Sequence, residues 1–279
     1  TNEELLAEAH QRGYVLRPLE MPDPVARVSV RQMQGDKRVI VAVVSCTHLG
    51  SRFQQITALN RFLQYAKGRG AKAILHCGDV VDGPLQMHQD IVHAQFIHTY
   101  DTQRDYAVAV LPDLGIPWYF VSGNHDDAYL RNAGGEIVQD ICERRKDFHY
   151  LARNTGYVQM GSVTIELTHP HMGGAYADSY RLQKHIEALS PERKPNVVCM
   201  GNFHKAAHVD YRNVVGLMVP AFQSQTPWMA SKGIRSIVGG LILEFGMETK
   251  GLAPSYRVEW VIERVPLTDD WQNFVRRGK

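Results

Sequence analysis

The chain has 279 residues, 44% hydrophobic and 22% charged, which suits a soluble globular protein with a full core. A formal net charge of +2 gives no strong drive toward nucleic acid or a membrane surface, and no apolar run reaches the ~18 residues of a spanning helix. Four cysteines without close pairs do not form a disulfide framework, so a reducing cytoplasmic compartment is expected. The sequence begins at Thr1 without a signal pattern, so a trimmed start with further chain upstream is expected.

Residues 2–12, NEELLAEAHQR, predict a short helix that opens an N-terminal arm over 1–36. RVSVRQM (27–33) precedes the first clear strand, RVIVAVVSC (38–46). A helix is predicted over about 53–67, with Phe53, Ile56, Leu59, Leu63 and Ala66 at helical spacing. KAILHC (72–77) is the second strand, a long helical region follows over 86–112, and PWYFVS (117–122) is the third strand. Strand alternating with helix implies crossover units and a mainly parallel sheet.

The second half reads differently: one long strand over 157–169, a helix near 178–189, then strands at 195–200, 214–219, 236–245 and 255–265. These suit a second, mixed sheet. The expected fold is α/β, two packed mixed sheets with helices outside, in one domain over 37–267 with a tail at 268–279.

In open α/β sheets ligands bind beyond the C-terminal strand ends. The first strand ends in Cys46 and His48, the second in Asp79 and Asp82, and the third in Asn124, His125 and Asp126. The run to 169 ends in His169 and His171, and VVCMGNFH ends in Asn202 and His204. A single strand-end histidine or Gly-Asp pair is ordinary surface or turn chemistry. Five successive strand ends carrying such groups are not, and a glycine immediately precedes Asp79, Asn124 and Asn202, where it lets the backbone approach an ion. Carboxylate, imidazole and amide oxygen suit Mn²⁺, Fe²⁺ or Zn²⁺. A shared carboxylate such as Asp79 can bridge two ions ~3.5–4 Å apart, an arrangement suited to phosphoryl displacement.

The stretches CTH (46–48), GDVVDG (78–83), GNHD (123–126), THPH (168–171) and GNFH (201–204) resemble the motifs of the calcineurin-like metallophosphoesterases. The resemblance covers about residues 38–250, and the flanking THLGSRFQQ, HKAAHVDYRNV and FQSQTPWM look like a branch common in phages and prophages. It implies a four-layer αββα sandwich with two divalent ions, Mn²⁺ foremost, in a bacterial or phage-infected cytoplasm. One ion would take Cys46, His48, Asp79 and His204, and the other Asp79, Asn124, His169 and Asn202. A water activated between the ions would attack phosphorus, and His125 would protonate the leaving oxygen, its ring held by Asp126. His171 is a substrate contact or a surface residue.

Two positions depart from the family pattern. Cys46 stands where the family has Asp, and Asn202 where it has the first His of G-H-x-H. Three readings stay open: Cys46 binds as thiolate and favours softer Zn²⁺ or Fe²⁺; one of the two sites is weak; or the centre is degenerate and the domain binds a partner without turnover. A Cys46 disulfide with Cys77 or Cys199 is a further alternative. The branch suggests a phosphodiesterase or nuclease acting on DNA or nucleotides. Arg52, Lys184, Lys205, Lys232, Arg235, Arg276, Arg277 and Lys279 are candidate phosphate contacts or plain surface charges. Trp228, in a segment (222–233) expected to border the cleft, either stacks on a base or packs into its own domain.

Overall fold

A computed structural model describes residues 25–28, 38–85, 92–246 and 255–272. The expected helix at 2–12 and the cations Arg276, Arg277 and Lys279 lie outside the described residues, as do most of the expected arm and of the tail.

The elements in chain order are β1 (Val25–Val28), β2 (Arg38–Val44), α1 (Ile56–Gly68), β3 (Ile74–Cys77), α2 (Tyr100–Val110), β4 (Trp118–Ser122), α3 (Asn124–Ala133), α4 (Ile137–Glu143) and β5 (Phe148–Arg153). They continue with β6 (Thr155–Met160), β7 (Val163–Thr168), α5 (Tyr180–Ala188), β8 (Val197–Met200), β9 (Ala207–Tyr211), β10 (Val214–Met218), α6 (Pro227–Ser231), β11 (Gly239–Gly246) and β12 (Tyr256–Ile262). They build two six-stranded mixed sheets, one ordered β12-β11-β2-β3-β4-β5 and the other β1-β6-β7-β8-β10-β9. In the first, β2, β3, β4 and β5 run parallel; in the second, β7, β8 and β10 do.

The period-2 alternation of β2 explains the layering. Val39, Val41 and Val43 point into the core between the sheets, where they meet Ile165, Leu167, Val197 and Leu217. Ala42 and Val44 point the other way, onto Leu59, Phe62 and Leu63 of α1. Leu182 and Ile186 of α5 cover the outer face of the second sheet, against Val198, Met200 and Met218. The four-layer αββα arrangement is therefore present.

Several boundaries differ from the sequence reading. The expected strand over 157–169 is a hairpin, turning at Gly161 (φ 61°). Of the helical region expected over 86–112, residues 86–91 lie outside the described residues; the rest forms a 3₁₀ turn at Val92–Ala94 and α2, which starts where the Thr99 side chain accepts the Thr102 amide. The residues that the structure describes beyond 267 are not loose. Asp270 accepts hydrogen bonds from the Thr57 backbone N–H (2.8 Å) and from Thr57 Oγ1 (2.5 Å), so the segment after β12 supplies the carboxylate that caps the start of α1.

Candidate metal centre

The C-terminal ends of β2, β3, β4, β7 and β8 converge at one edge shared by both sheets, and the polar side chains gather there. The backbone is unusual at this edge. Cys46 (φ 50°), His48 (φ 42°), Asp79 (φ 54°), Asn202 (φ 76°) and His204 (φ 53°) all lie in the left-handed region that L side chains avoid. The turns are locked together: the Cys46 N–H donates to Gly78 O (2.9 Å) and the His48 N–H to Asp79 O (3.1 Å). Such strain persists only where surrounding bonds over-determine it.

The three glycines noted in the sequence are sterically required. A Cβ on Gly78 would lie 2.5 Å from His169 Nδ1, and one on Gly123 2.3 Å from Asp79 Oδ1. One on Gly201 would lie 2.3 Å from both Cys77 O and Ser45 Oγ. Because a strand carbonyl cannot move aside, Gly201→Ala is expected to destabilise the fold by about 1–3 kcal/mol, read as a lower Tm in thermal unfolding.

Outer hydrogen bonds fix the tautomers of His169 and His204. His169 Nδ1 is 2.6 Å from Cys77 O, so that nitrogen carries the proton, and Nε2 faces Asp79 Oδ2 at 3.0 Å without hydrogen-bond geometry. Ser236 Oγ donates to Gln223 O (2.6 Å) and therefore accepts from His204 Nδ1 (3.1 Å). His48 Nδ1 lies 3.2 Å from Asp82 Oδ1 without hydrogen-bond geometry. His48 Nε2 and His204 Nε2 meet at 3.3 Å, and because His204 carries its proton on Nδ1, His48 Nε2 is the donor and His204 Nε2 the acceptor. The unbonded His169 Nε2 beside the Asp79 carboxylate, and the buried, unbonded Asn124 Oδ1, are donors that a cation satisfies.

The ligating atoms of Cys46, His48 and His204 lie within 4.8 Å of one another, as do those of Cys46, Asp79 and His169 and those of His48, Asp79 and His125. Cys46 belongs to two of these three groups. Burial, and after it the Asp79 carboxylate, pushes the Cys46 thiol well above its ordinary value, so only a neighbouring cation would hold it as thiolate. Burial also favours a neutral Asp79, but His169, His125 and His48 outweigh it and hold this carboxyl well below the usual range. Burial, joined by His125 for the first and by His48 for the second, keeps His48 and His204 below the ordinary histidine value and neutral, as ligands must be.

A model of the calcineurin-like phosphoesterase superfamily domain matches residues 39–221. The chain belongs to the calcineurin-like phosphoesterase superfamily. No curated protein matches it at the sequence level. Among solved structures, an archaeal phosphodiesterase is similar at 16% identity, covering 80% of this chain and 100% of that one, with a TM-score of 0.43. Vacuolar protein sorting 29 from Cryptosporidium parvum is similar at 10% identity over 82% of this chain and 100% of its own, with a TM-score of 0.43. Vps29 of Entamoeba histolytica, solved with Zn²⁺, is similar at 13% identity over 80% and 99%, with a TM-score of 0.36.

Within this phosphoesterase domain, the expected role of Asp126 is corrected. Its carboxylate accepts the backbone amides of Val80 (3.1 Å), Val81 (3.0 Å) and Gly123 (2.8 Å), tying the β3 and β4 loops together. The His125 ring is held instead by the main chain, with Nδ1 2.8 Å from Asp82 O, and the His125 N–H donates to Asp79 Oδ1 (2.9 Å). The supports Ser236, Gln223 and the Cys77 carbonyl were not foreseen; each acts through the backbone or from a distant loop.

The other candidates are placed less centrally. Arg52 stacks over Trp271, 5.2 Å from the ring centroid, and does not line the cleft. His171 lies 3.4 Å from Asp127, outside the cleft lining. Asn202 Nδ2 donates to Pro170 O (2.6 Å) and Met172 O (3.1 Å), which leaves only Oδ1 for an ion. All four cysteines, Cys46, Cys77, Cys142 and Cys199, are buried and free, so neither disulfide alternative forms. No helix among the described residues is long and apolar enough to cross a membrane.

Behind α3 lies a second acidic pair. Asp127 is ion-paired with Arg153 (3.1 Å), while burial and then Asp127 push Glu136 up to about 7. The native state therefore keeps the Glu136 proton in the window between the ordinary carboxyl value and about 7, where the unfolded chain releases it. This contribution is present at pH 4 and is lost as pH rises toward 7. Glu136→Gln is expected to leave the Tm unchanged near pH 4 and to raise it at pH 8, measured by thermal melts at both values.

Proposed function

We propose that this chain is a metal-dependent phosphodiesterase acting on nucleic acid or nucleotides. The observation that carries the reading is the convergence of Cys46, His48, Asp79, His169 and His204, with the outer nitrogens of His169 and His204 already bonded to Cys77 O and Ser236 Oγ. Cys46, His48, Asp79 and His204 would hold one divalent ion; Asp79, Asn124, His169 and, through Oδ1, Asn202 would hold a second. When bound, such ions neutralise phosphate charge and lower the pKa of water.

The chain's own contribution is orientation and proton transfer. Asp82 O accepts the His125 Nδ1 proton, so in the imidazolium form the second proton, on Nε2, is the one passed to the leaving oxygen. His48 meets the His125 ring edge-on at 4.5 Å between centroids, and a His125 ring nitrogen lies within 4.8 Å of the His48 and Asp79 donors, so the proposed acid stands directly beside the ions. Water adds to phosphorus and gives up one proton to solvent, the ester P–O bond breaks, the departing alkoxide takes a proton from His125, and the ring is reprotonated from solvent. A domain over 37–267, extended by the docked 268–272 segment, and a cytoplasmic setting fit this reading.

Hydrolysis of bis-p-nitrophenyl phosphate with Mn²⁺, Zn²⁺, Fe²⁺ or no metal tests it. Turnover that requires an added ion is the expected result; no turnover with any ion counts against it. A second reading, a partner-binding domain with a weak centre, draws on the neutral Cys46 thiol and the Asn202 amide engaged by the 170–172 loop.

A further inference from the structure

The donors occupy only the floor of the cleft, whose volume is about 1280 Å³. Small-molecule sites commonly enclose roughly 300–1,000 Å³, so a phosphate with two small esters would leave much of this space unused. The outer wall carries Trp228, Tyr176 and Met172, all exposed apolar side chains, together with Lys205 and Arg235.

Trp228 is not a loose surface residue. It rides on α6, whose first turn is capped by Thr226 Oγ1 accepting the Met229 N–H (3.2 Å). The adjacent Met229 is buried, and its carbonyl accepts the Ile234 N–H (2.8 Å). The turn is anchored by its neighbours, while the indole stays 47% exposed beside the cleft. The loop bearing Met172 and Tyr176 is fixed at its base by Asn202, which donates to both Pro170 O and Met172 O. The Asn202 departure from the family motif thereby becomes a support for the substrate-facing wall.

An exposed indole on an anchored turn, next to Arg235 and to Lys205 (the latter ion-paired with Asp178), above a phosphoryl-binding floor, matches a base joined to a phosphate. We propose that the substrate is a single-stranded oligonucleotide whose base next to the scissile phosphate stacks on Trp228, with Tyr176 as a second stacking surface and Arg235 and Lys205 beside the backbone. This rests on the phosphodiesterase reading above and narrows it.

The test is binding, measured by fluorescence anisotropy in Mn²⁺ with His125→Ala protein so that no turnover intervenes. The probes are a labelled oligothymidylate and an abasic oligomer of equal length and charge. Base stacking predicts about tenfold tighter binding of the oligothymidylate, a preference lost in Trp228→Ala and kept in Trp228→Phe. Equal binding of the two oligomers, or equal weakening of both by Trp228→Ala, overturns the proposal. Wild-type hydrolysis of methyl p-nitrophenyl phosphate, which lacks a base, separately reports the phosphodiesterase reading. Its failure would leave the base preference to be judged on binding alone.

Discussion

His125→Ala is expected to lower phosphodiester turnover by about 10²–10⁴-fold while leaving metal content unchanged. The ring lies beside His48 but is anchored to a main-chain carbonyl, and its backbone N–H, which alanine keeps, supports Asp79. On the proposed reading His125 gives a proton and is not an ion ligand, although its ring nitrogen lies within 4.8 Å of the His48 and Asp79 donors, so the metal content decides between the two roles. Parallel measurement of kcat and of bound metal by elemental analysis checks both halves. A loss of metal along with turnover would mean that the ring helps to hold the ions; unchanged turnover would mean that the proton reaches the leaving group by another route.

Asp79→Asn has the larger expected effect on the ions. Asp79 Oδ2 lies 3.0 Å from His169 Nε2 and 3.7 Å from His48 Nε2, so this one oxygen faces both donor groups. An amide cannot supply its charge, and its NH₂ could face the unbonded His169 Nε2. Metal affinity is expected to fall by more than the roughly 10–100-fold that loss of a supporting partner costs. Turnover should fall with it. Equilibrium dialysis against Mn²⁺ or Zn²⁺ gives the affinity directly, and retention of both ions at wild-type strength would remove Asp79 from its shared role.

The sequence exposed the centre because its chemistry needs local signals. A glycine is forced where Asp79, His169 and Cys77 crowd the chain, and the polar residue follows at once, so Gly-Asp and Gly-Asn can be read directly. The supports left no such trace. Ser236 reaches His204 from 32 residues away, and the Asp82 carbonyl that holds His125 has no side-chain identity to read. Asp126 looked like the partner of its neighbour His125, yet it is aimed at backbone amides, a direction that only the turn around Gly123 sets.

The fold was legible in the same uneven way. Runs such as Val39–Val44 announce a two-faced buried strand. The hairpin within 155–168 was also written in the sequence: inward residues pass from Val158 and Met160 to Val163, Ile165 and Leu167, so the parity changes across Gly161 and Ser162. Helix α3 was hidden because its first turn is given over to Asn124, His125, Asp126 and Asp127, leaving few apolar positions to show a period.

The most direct measurement is a titration of metal-free protein with Co²⁺, followed by absorption. Binding that saturates at about two ions per chain, with a thiolate-to-cobalt charge-transfer band that disappears in Cys46→Asp, is the predicted result. Cobalt that fails to bind, or that binds without the thiolate band, would contradict a centre built on Cys46.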